Sequence, residues 1–304
     1  MTTTLTDARR GARDRYVHDV LSVQEGLRLD RFGDLATGVG ALHLARRPNG
    51  WTTAALRGDQ LPYRYLLAIQ GFRLARFIDL GWASRDVVYE QALFHEPPTR
   101  GREEIHVLTV DGASGRLLAY ASMLGAADAP ATPHTAPDRS PFPCEEAHGV
   151  RVLADAPVTG TFTTDEAWEV KRLTRHPGVT GRTDQIRLVF EVVLGLYSAM
   201  DRLTPRPRVL VGDVEPKVAL RHLTLTSPRV VLVEGTEPKL PGDSLIHPAY
   251  EVRGQVLPFV AEVPGPRRMA GLLDRLERVA TGTDVLAALR ELGTWTSCRL
   301  ERKR

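Results

Sequence analysis

A central segment of this chain of 304 residues reads Ala167-Trp-Glu-Val-Lys-Arg-Leu-Thr174. Its composition and the turn residues on both sides predict a β-strand. In an extended chain, Glu169 and Lys171 point to one face of the sheet, whereas Trp168 and Arg172 point to the other. A β-bulge in this strand could reorient part of this set.

The segments around this strand alternate between helix and strand signals. Upstream, the sequence predicts a helix from Leu61 to near Gly81, a strand over 87–94, and a hairpin of strands 105–110 and 116–124. Downstream it predicts a turn over 177–181, a helix over 184–201 with Thr183 as its N-cap, and then strand 208–212, helix 216–223, and strands 230–233 and 250–263. This alternation predicts an α/β fold with a mixed sheet.

The unit of residues 61–263 is flanked by a further segment at each end and contains one long loop. Residues 1–60 have helix-like stretches and predict a helical N-terminal cap, and residues 264–304 predict a C-terminal extension of two helices followed by a charged tail. Residues 126–149 contain five prolines and predict a long irregular loop.

Composition restricts the class of protein. The 40 basic and 37 acidic residues give a net charge of only +3, which does not favour a nucleic-acid-binding protein. The two cysteines, Cys144 and Cys298, match no metal or redox spacing. Because of this spacing, we expect a protein without a bound metal. Since no apolar stretch is long enough to span a membrane, we also expect a cytoplasmic protein.

The order of these elements, with Trp168-Glu-Val-Lys-Arg-Leu173 on the central strand, resembles the acyl-homoserine lactone synthases, a branch of the N-acetyltransferase superfamily. This resemblance implies a mostly antiparallel mixed sheet flanked by helices. It makes residues 61–263 an acyltransferase-like domain between helical additions.

The resemblance also implies roles for individual residues. Glu169 is the catalytic base or relay, and Arg172 anchors either the acceptor or Glu169. A bulge in the strand would free a backbone N–H to bind the carbonyl oxygen. The thioester donor would contact Leu173, Thr174 and the turn residues Gly178, Gly181, Arg182 and Thr183, and the substrates would contact Trp82, Trp168 and Asp213.

Simpler interpretations remain open for these residues. Glu169 and Arg172 could form an ordinary ion pair at a sheet end, with Trp168 in the core, and the glycines could serve only the turn between strand and helix.

Three departures distinguish the chain from the family pattern. Residues 87–96 lack the expected pair of aspartates for S-adenosylmethionine, and Leu220 stands where many relatives have a tyrosine that protonates the leaving thiolate. The turn also lacks the full Gly-x-Gly pattern that cradles the pyrophosphate of coenzyme A.

These features predict an N-acyltransferase of specialised metabolism. It would move an acyl group from an acyl carrier protein or acyl-CoA thioester to a small-molecule amine, with no tightly bound cofactor. The alternatives are an S-adenosylmethionine-dependent autoinducer synthase, a non-catalytic module that binds acyl thioesters or a carrier protein, and transfer from aminoacyl-tRNA.

Overall fold

A computed structural model describes residues 2–99, 101–158, 160–217, 219–251 and 256–303, with side chains from residue 7 onward. The elements in chain order are α1 (Thr2–Gly26), α2 (Phe32–Gly38), β1 (His43–Arg46), β2 (Trp51–Arg57), α3 (Tyr63–Asp79), α4 (Arg85–Glu90), β3 (Glu104–Asp111), β4 (Leu117–Leu124), α5 (Pro143–His148), β5 (Ala167–Arg175), α6 (Arg182–Arg202), β6 (Val209–Val214), α7 (Leu220–Thr226), β7 (Arg229–Val233), α8 (His247–Glu251), β8 (Leu257–Glu262), α9 (Pro266–Thr281), α10 (Val285–Thr296) and β9 (Arg299–Lys303).

The strands of the described residues form one nine-stranded sheet in the order β1-β2-β3-β4-β5-β6-β8-β7-β9. β5 pairs with β6 and β7 pairs with β9 in parallel, and the other neighbours are antiparallel. The predicted α/β fold with a mixed sheet is therefore confirmed, as is the hairpin of β3 and β4.

Helices cover both faces of the sheet. α6 packs against β1 to β5 on one face, where the largest core cluster also includes side chains of α9 and α10. On the opposite face, α2 and α3 pack against β2, β3 and β4. The loop that contains α5 packs against β6, β7 and β8 on this second face. The central strand β5 therefore lies between two helical layers.

The helical cap predicted for residues 1–60 is wrong for residues 43–46 and 51–57, which form strands β1 and β2. Asn49 and Gly50 form the turn between these two strands, where Arg47 N donates to Trp51 O at 2.8 Å. Asn-Gly between short apolar stretches is a hairpin signal, and it outweighs the helix-like pattern of the residues around it. β2 then pairs with β3 along its full length, while α1 and α2 are helical as predicted.

The strand predicted over 87–94 is also wrong, because residues 85–90 form α4. The Ser84 side chain accepts a hydrogen bond from Val87 N at 3.3 Å and caps this helix. A short stretch of Val and Tyr fits a buried helix as well as a strand. Thr183 is likewise not an N-cap: α6 is capped by Gly181, and Thr183 is exposed in its first turn.

Two further segments differ from their predicted structures. The strand predicted over 250–263 is confirmed only as β8, while residues 252–255 lie outside the described residues. The charged tail forms β9, in which Glu301 accepts a hydrogen bond from Arg229 Nε at 2.7 Å. Charged side chains are typical of a strand at a sheet edge.

Arg47 connects three distant parts of the chain. It lies in the turn after β1, donates from Nε to Glu191 of α6 at 2.6 Å, and donates from Nη2 to Glu277 of α9 at 2.8 Å. The Glu191 side chain is only 1% exposed. A buried carboxylate needs such a partner, since burial of an unpaired charge is costly.

The stability of the protein is expected to fall between pH 6.5 and about pH 4. Burial and the charge of Arg47 lower the pKa of His43 from 6.5 to about 4, and burial lowers the pKa of His106 to about 4. Within this pH range the unfolded chain binds more protons than the folded chain, so acid favours unfolding, by up to about 3 kcal/mol for each histidine.

Urea unfolding at several pH values measures the slope of the free energy of unfolding against pH. His43→Gln removes one of the two titrating groups and is expected to flatten the slope in this pH range. An unchanged slope in the variant would show that His43 titrates normally in the folded protein.

Candidate functional site

The candidate site lies where β5 and β6 separate. The two strands are paired over Ala167–Glu169 and Val209–Val211, and no pairing between them follows in the described residues. A Cβ atom on Gly212 would lie 2.8 Å from the backbone oxygen of Val170. Glycine at this position therefore lets the strands stay close up to the point where they diverge. A cavity of about 290 Å³ opens beyond that point.

A β-bulge interrupts β5 at the cavity. Its pairing with β4 passes from Lys171 opposite Ser122 to Thr174 opposite Tyr120, so two residues of β5 face one residue of β4. One of the two is Arg172, whose φ of 61° places its backbone in the left-handed region. This conformation is costly for a residue with a side chain and persists only where its surroundings enforce it.

The bulge moves Arg172 to the face of the sheet that carries Glu169. Strict alternation predicted that Arg172 shares a face with Trp168, and this prediction is wrong because of the inserted residue. Arg172 Nη2 instead lies 2.6 Å from Glu96 Oε1, on the side of α3. Trp168 packs into the core on the side of α6. Glu96, and not Glu169, is thus the ion-pair partner of Arg172.

Glu169 lies in the cavity wall and is 2% exposed. Its Oε1 is 3.2 Å from Lys171 Nζ, and its Oε2 accepts a hydrogen bond from the backbone N–H of Cys144 at 3.2 Å. Burial raises the pKa of Glu169, and the negative charge of Asp213 adds to the increase, while Lys171 opposes it. A carboxylate with a raised pKa is suited to accept and hold a proton.

A second carboxylate, Asp213 of β6, also lines the cavity. Its Oδ2 accepts a hydrogen bond from the Tyr250 hydroxyl at 2.9 Å, and its Oδ1 lies 3.1 Å from Nε2 of the fully buried His148. Burial together with the charge of Asp213 raises the pKa of Tyr250. The tyrosine therefore keeps its proton on the hydrogen bond to Asp213.

Behind Arg172 lies a buried network of charges. Arg73 is 1% exposed and donates from Nε to Glu96 Oε2 at 2.6 Å, and its Nη1 is 3.6 Å from Glu104. Burial alone would raise the pKa of Glu96, but Arg172 and Arg73 outweigh burial and lower it to about 2. Glu96 is thus held as an anion between two arginines at the edge of the cavity.

One arm of the cavity is apolar and runs between α6 and the β6–β8 part of the sheet. The Tyr197 hydroxyl in its wall donates to Thr226 Oγ1 at 3.0 Å, so both polar groups are satisfied. The other apolar side chains of this arm include Val193, Leu196, Met200, Leu210, Val214, Leu223 and Phe259. An arm of this composition suits a hydrocarbon chain.

Another part of the cavity lining is aromatic and acidic, and it includes Phe77, Trp82 and Glu96. The rings of Phe77 and Trp82 lie 5.7 Å apart between centroids. Ile246, Ala249 and Tyr250, from the segment that contains α8, also line the cavity.

The structure brings some of the predicted site residues together and separates others. Glu169, Arg172, Leu173, Trp82 and Asp213 all line the cavity. The predicted residues outside the lining are the buried Trp168 and Thr174 and the exposed turn residues Gly178, Gly181, Arg182 and Thr183.

The sequence analysis predicted neither Tyr250 nor His148 as a site residue. Tyr250 was placed in a strand but belongs to the short helix α8, and His148 lies in the proline-rich loop. One feature of the sequence indicated polar partners at this position, namely the carboxylate of Asp213 directly after a predicted strand.

Among the described residues, no group of His, Cys, Asp and Glu side chains is arranged to hold a metal ion. No helix within the described ranges has both the length and the apolar character to cross a membrane.

No protein-family model matches this sequence, and no curated protein was found to match it. Among solved structures, the chain is similar to a CoA-dependent acyl-homoserine lactone synthase, BjaI, with MTA (13% identity, 79% of this chain and 97% of that chain, TM-score 0.42). It is also similar to BjaI with SAM and isopentyl-CoA (14% identity, 76% and 95%, TM-score 0.39) and to the CoA-dependent synthase MesI (14% identity, 73% and 90%, TM-score 0.38). The three structures are of two acyl-homoserine lactone synthases, the family that the sequence of the central strand resembles.

Proposed function

We propose that this protein transfers an acyl group from a thioester to the nitrogen of an amine. The observation that carries the proposal is the cavity between the diverging strands β5 and β6. Its lining combines an apolar arm with acidic and aromatic side chains, and the buried carboxylate of Glu169 is one of them. A thioester with its acyl chain in the apolar arm and an amine beside the acidic side chains would meet at Glu169.

The reaction requires that an amine, which is an ammonium ion near neutral pH, loses a proton before it attacks. Its nitrogen then forms a bond to the thioester carbon and loses a second proton, the carbon–sulfur bond breaks, and the thiolate takes up this second proton and leaves as the free thiol. We assign to Glu169 the acceptance of the amine proton, because burial raises its pKa. The bulge at Arg172 would leave a backbone N–H for the carbonyl oxygen.

The donor would be held along β5 and the turn that follows it. Leu173 lines the cavity, and β5 leads from there to the exposed N-terminus of α6, where Gly181, Arg182 and Thr183 lie. Backbone N–H groups at a helix start, together with an arginine, suit the phosphate of a pantetheine arm. An acyl carrier protein and acyl-CoA both present this group.

A panel of acyl-CoA and acyl carrier protein thioesters, incubated with mixed amines and analysed by mass spectrometry, tests the proposed activity. The expected result is an N-acylated amine together with an equal amount of free thiol. Binding of a thioester without transfer to any amine would instead indicate a non-catalytic module.

The apolar arm predicts how chain length can be restricted. Leu196→Trp adds a large side chain to the arm, and we expect kcat/KM for long acyl chains to fall at least tenfold, while short chains are transferred normally. Leu286→Trp makes the same change on the exposed face of α10, where Leu286 is 52% exposed, and serves as the control. An equal loss for short and long chains would argue against an acyl chain in this arm.

A second candidate acceptor is S-adenosylmethionine, which would make the protein an autoinducer synthase. The aromatic rings of Phe77 and Trp82 in the cavity lining favour it, since such rings bind organic cations, including a sulfonium. This reaction releases methylthioadenosine, so chromatographic detection of that product distinguishes it from simple amine acylation.

A further inference from the structure

We propose that Lys171 donates the proton to the thiolate that leaves during acyl transfer. This inference rests on the proposed function and deepens it, because it concerns the second proton of the amine nitrogen. Leu220 stands where many relatives have a tyrosine for this step, and a leucine side chain has no proton to give. Another group of the cavity must therefore supply it.

Lys171 lies on β5 between Glu169 and the bulge. Residues two positions apart in an extended strand point to the same face, so Lys171 follows Glu169 on one face of the sheet. Its Nζ is 3.2 Å from Glu169 Oε1, and its side chain is 21% exposed and lines the cavity. The ammonium group is thus in contact with the carboxylate that we assign to accept the first proton of the amine.

The hydroxyl groups of the lining hold their protons in hydrogen bonds within the protein. The Tyr250 hydroxyl donates to Asp213 at 2.9 Å, and burial together with the charge of Asp213 raises its pKa. The Tyr197 hydroxyl donates to Thr226 Oγ1 at 3.0 Å, and burial raises its pKa as well. The Thr226 hydroxyl in turn donates to the backbone oxygen of His222 at 2.8 Å. These groups are poor proton donors to a thiolate.

The other N–H groups of the lining do not exchange a proton near neutral pH. The Arg172 guanidinium is bound to Glu96 at 2.6 Å, and arginine stays protonated in proteins. Burial and the charge of Arg221 lower the pKa of His222, which leaves its ring neutral at pH 7. The indole of Trp82 does not titrate. Among the described residues that line the cavity, Lys171 is therefore the cation that can give up a proton.

The ion pair favours proton release from Lys171 at the step that needs it. When Glu169 accepts the first amine proton, the negative charge beside the Lys171 ammonium disappears, and loss of an adjacent anion favours the neutral form of an amine. The ammonium then donates to the sulfur as the carbon–sulfur bond breaks, and the neutral Lys171 takes the second proton from the nitrogen of the new amide. Glu169 releases the first proton to solvent after the products leave. One ammonium ion and one thioester thus become one amide, one thiol and one free proton.

Two thioesters with the same acyl chain test this inference, each at the pH of its maximal rate. The pantetheine thioester releases an alkyl thiolate, which needs a proton, whereas the thiophenyl ester releases a thiolate whose charge is delocalised over the ring. Lys171→Arg keeps a cation beside Glu169 but cannot release a proton. We expect kcat/KM to fall roughly tenfold or more with the pantetheine thioester and less than about threefold with the thiophenyl ester.

Two further variants accompany this comparison. Lys303→Arg makes the same change at a side chain that is 46% exposed and should affect neither thioester. Lys171→Gln is smaller than arginine and should show the same selective loss with the pantetheine thioester. Transfer from the thiophenyl ester, together with an unchanged Tm, shows that each variant is folded.

The outcomes separate this inference from the proposed function. A full rate of Lys171→Arg with the pantetheine thioester would overturn the inference, because Glu169 or water would then supply the proton. An equal loss with both thioesters in the two Lys171 variants would also overturn it, since the lysine would then only position Glu169. If the unmodified protein transfers the acyl group from neither thioester to any amine, the proposed function itself is rejected.

Discussion

Glu169→Gln is expected to lower kcat/KM for acyl transfer at least a hundredfold while the protein stays folded. Glutamine keeps the size of the side chain but cannot accept the amine proton, and general base catalysis typically contributes a factor of about 10² to 10⁴. Its amide oxygen can still accept the hydrogen bond from Cys144 N. The local structure should therefore persist while the chemistry is lost.

The measurement is a pH profile of kcat/KM with the preferred thioester and amine. Activity of the unmodified protein should rise with pH through the pKa of Glu169, which burial places above the usual range of a glutamate. This rise should disappear in Glu169→Gln. Glu146→Gln makes the same change at an exposed position of α5 and is the matched control. A normal rate and a normal rise in the Glu169→Gln variant would remove Glu169 from the role of base.

The second large effect is on stability. Glu96→Gln is expected to lower the free energy of unfolding by about 3 to 5 kcal/mol, because it leaves Arg73 and Arg172 buried without their shared anion. This loss corresponds to a decrease in Tm of roughly 10 °C for a protein of this size. Glu90→Gln breaks an exposed pair with Arg9 and should cost less than about 1 kcal/mol.

Acid unfolding gives an independent check on Glu96. Because its folded pKa is about 2, Glu96 stabilises the protein above pH 4.5, and this contribution is lost as pH falls from 4.5 to 2. The Glu96→Gln variant should lose less stability over that range. A variant with unchanged Tm and an unchanged acid response would show that the two arginines do not depend on Glu96.

The elements that could be predicted are those with an unambiguous local pattern. The Gly-containing loop between two β-prone segments predicted the β3–β4 hairpin, and the stretch from Ala167 to Thr174 predicted β5. By contrast, α4 was predicted as a strand, since its two adjacent valines fit either structure. Only the cap at Ser84 and the packing of Val88 against α1 decide for the helix.

The candidate site was predictable in part. Glu169 lies on the predicted central strand and Asp213 directly follows a later predicted strand; the family resemblance assigned both to the site, and both line the cavity. The partner of Arg172 did not follow, because a single inserted residue in β5 turns this side chain to the other face. Tyr250 and His148 reach the site from loop regions whose paths no periodic pattern specifies.

The contacts of Arg47 determine where this chain can be shortened. A protein that starts at residue 61 would lack Arg47 as well as β1 and β2, which would expose the edge of β3 and leave Glu191 buried without its cation. A protein that stops at residue 263 would lack α9, and with it the core side chains Met269, Leu272 and Leu276 that pack in the cluster of α6. For crystallisation or for display in a larger fusion, the fragment to produce is therefore one that keeps both the first hairpin and α9.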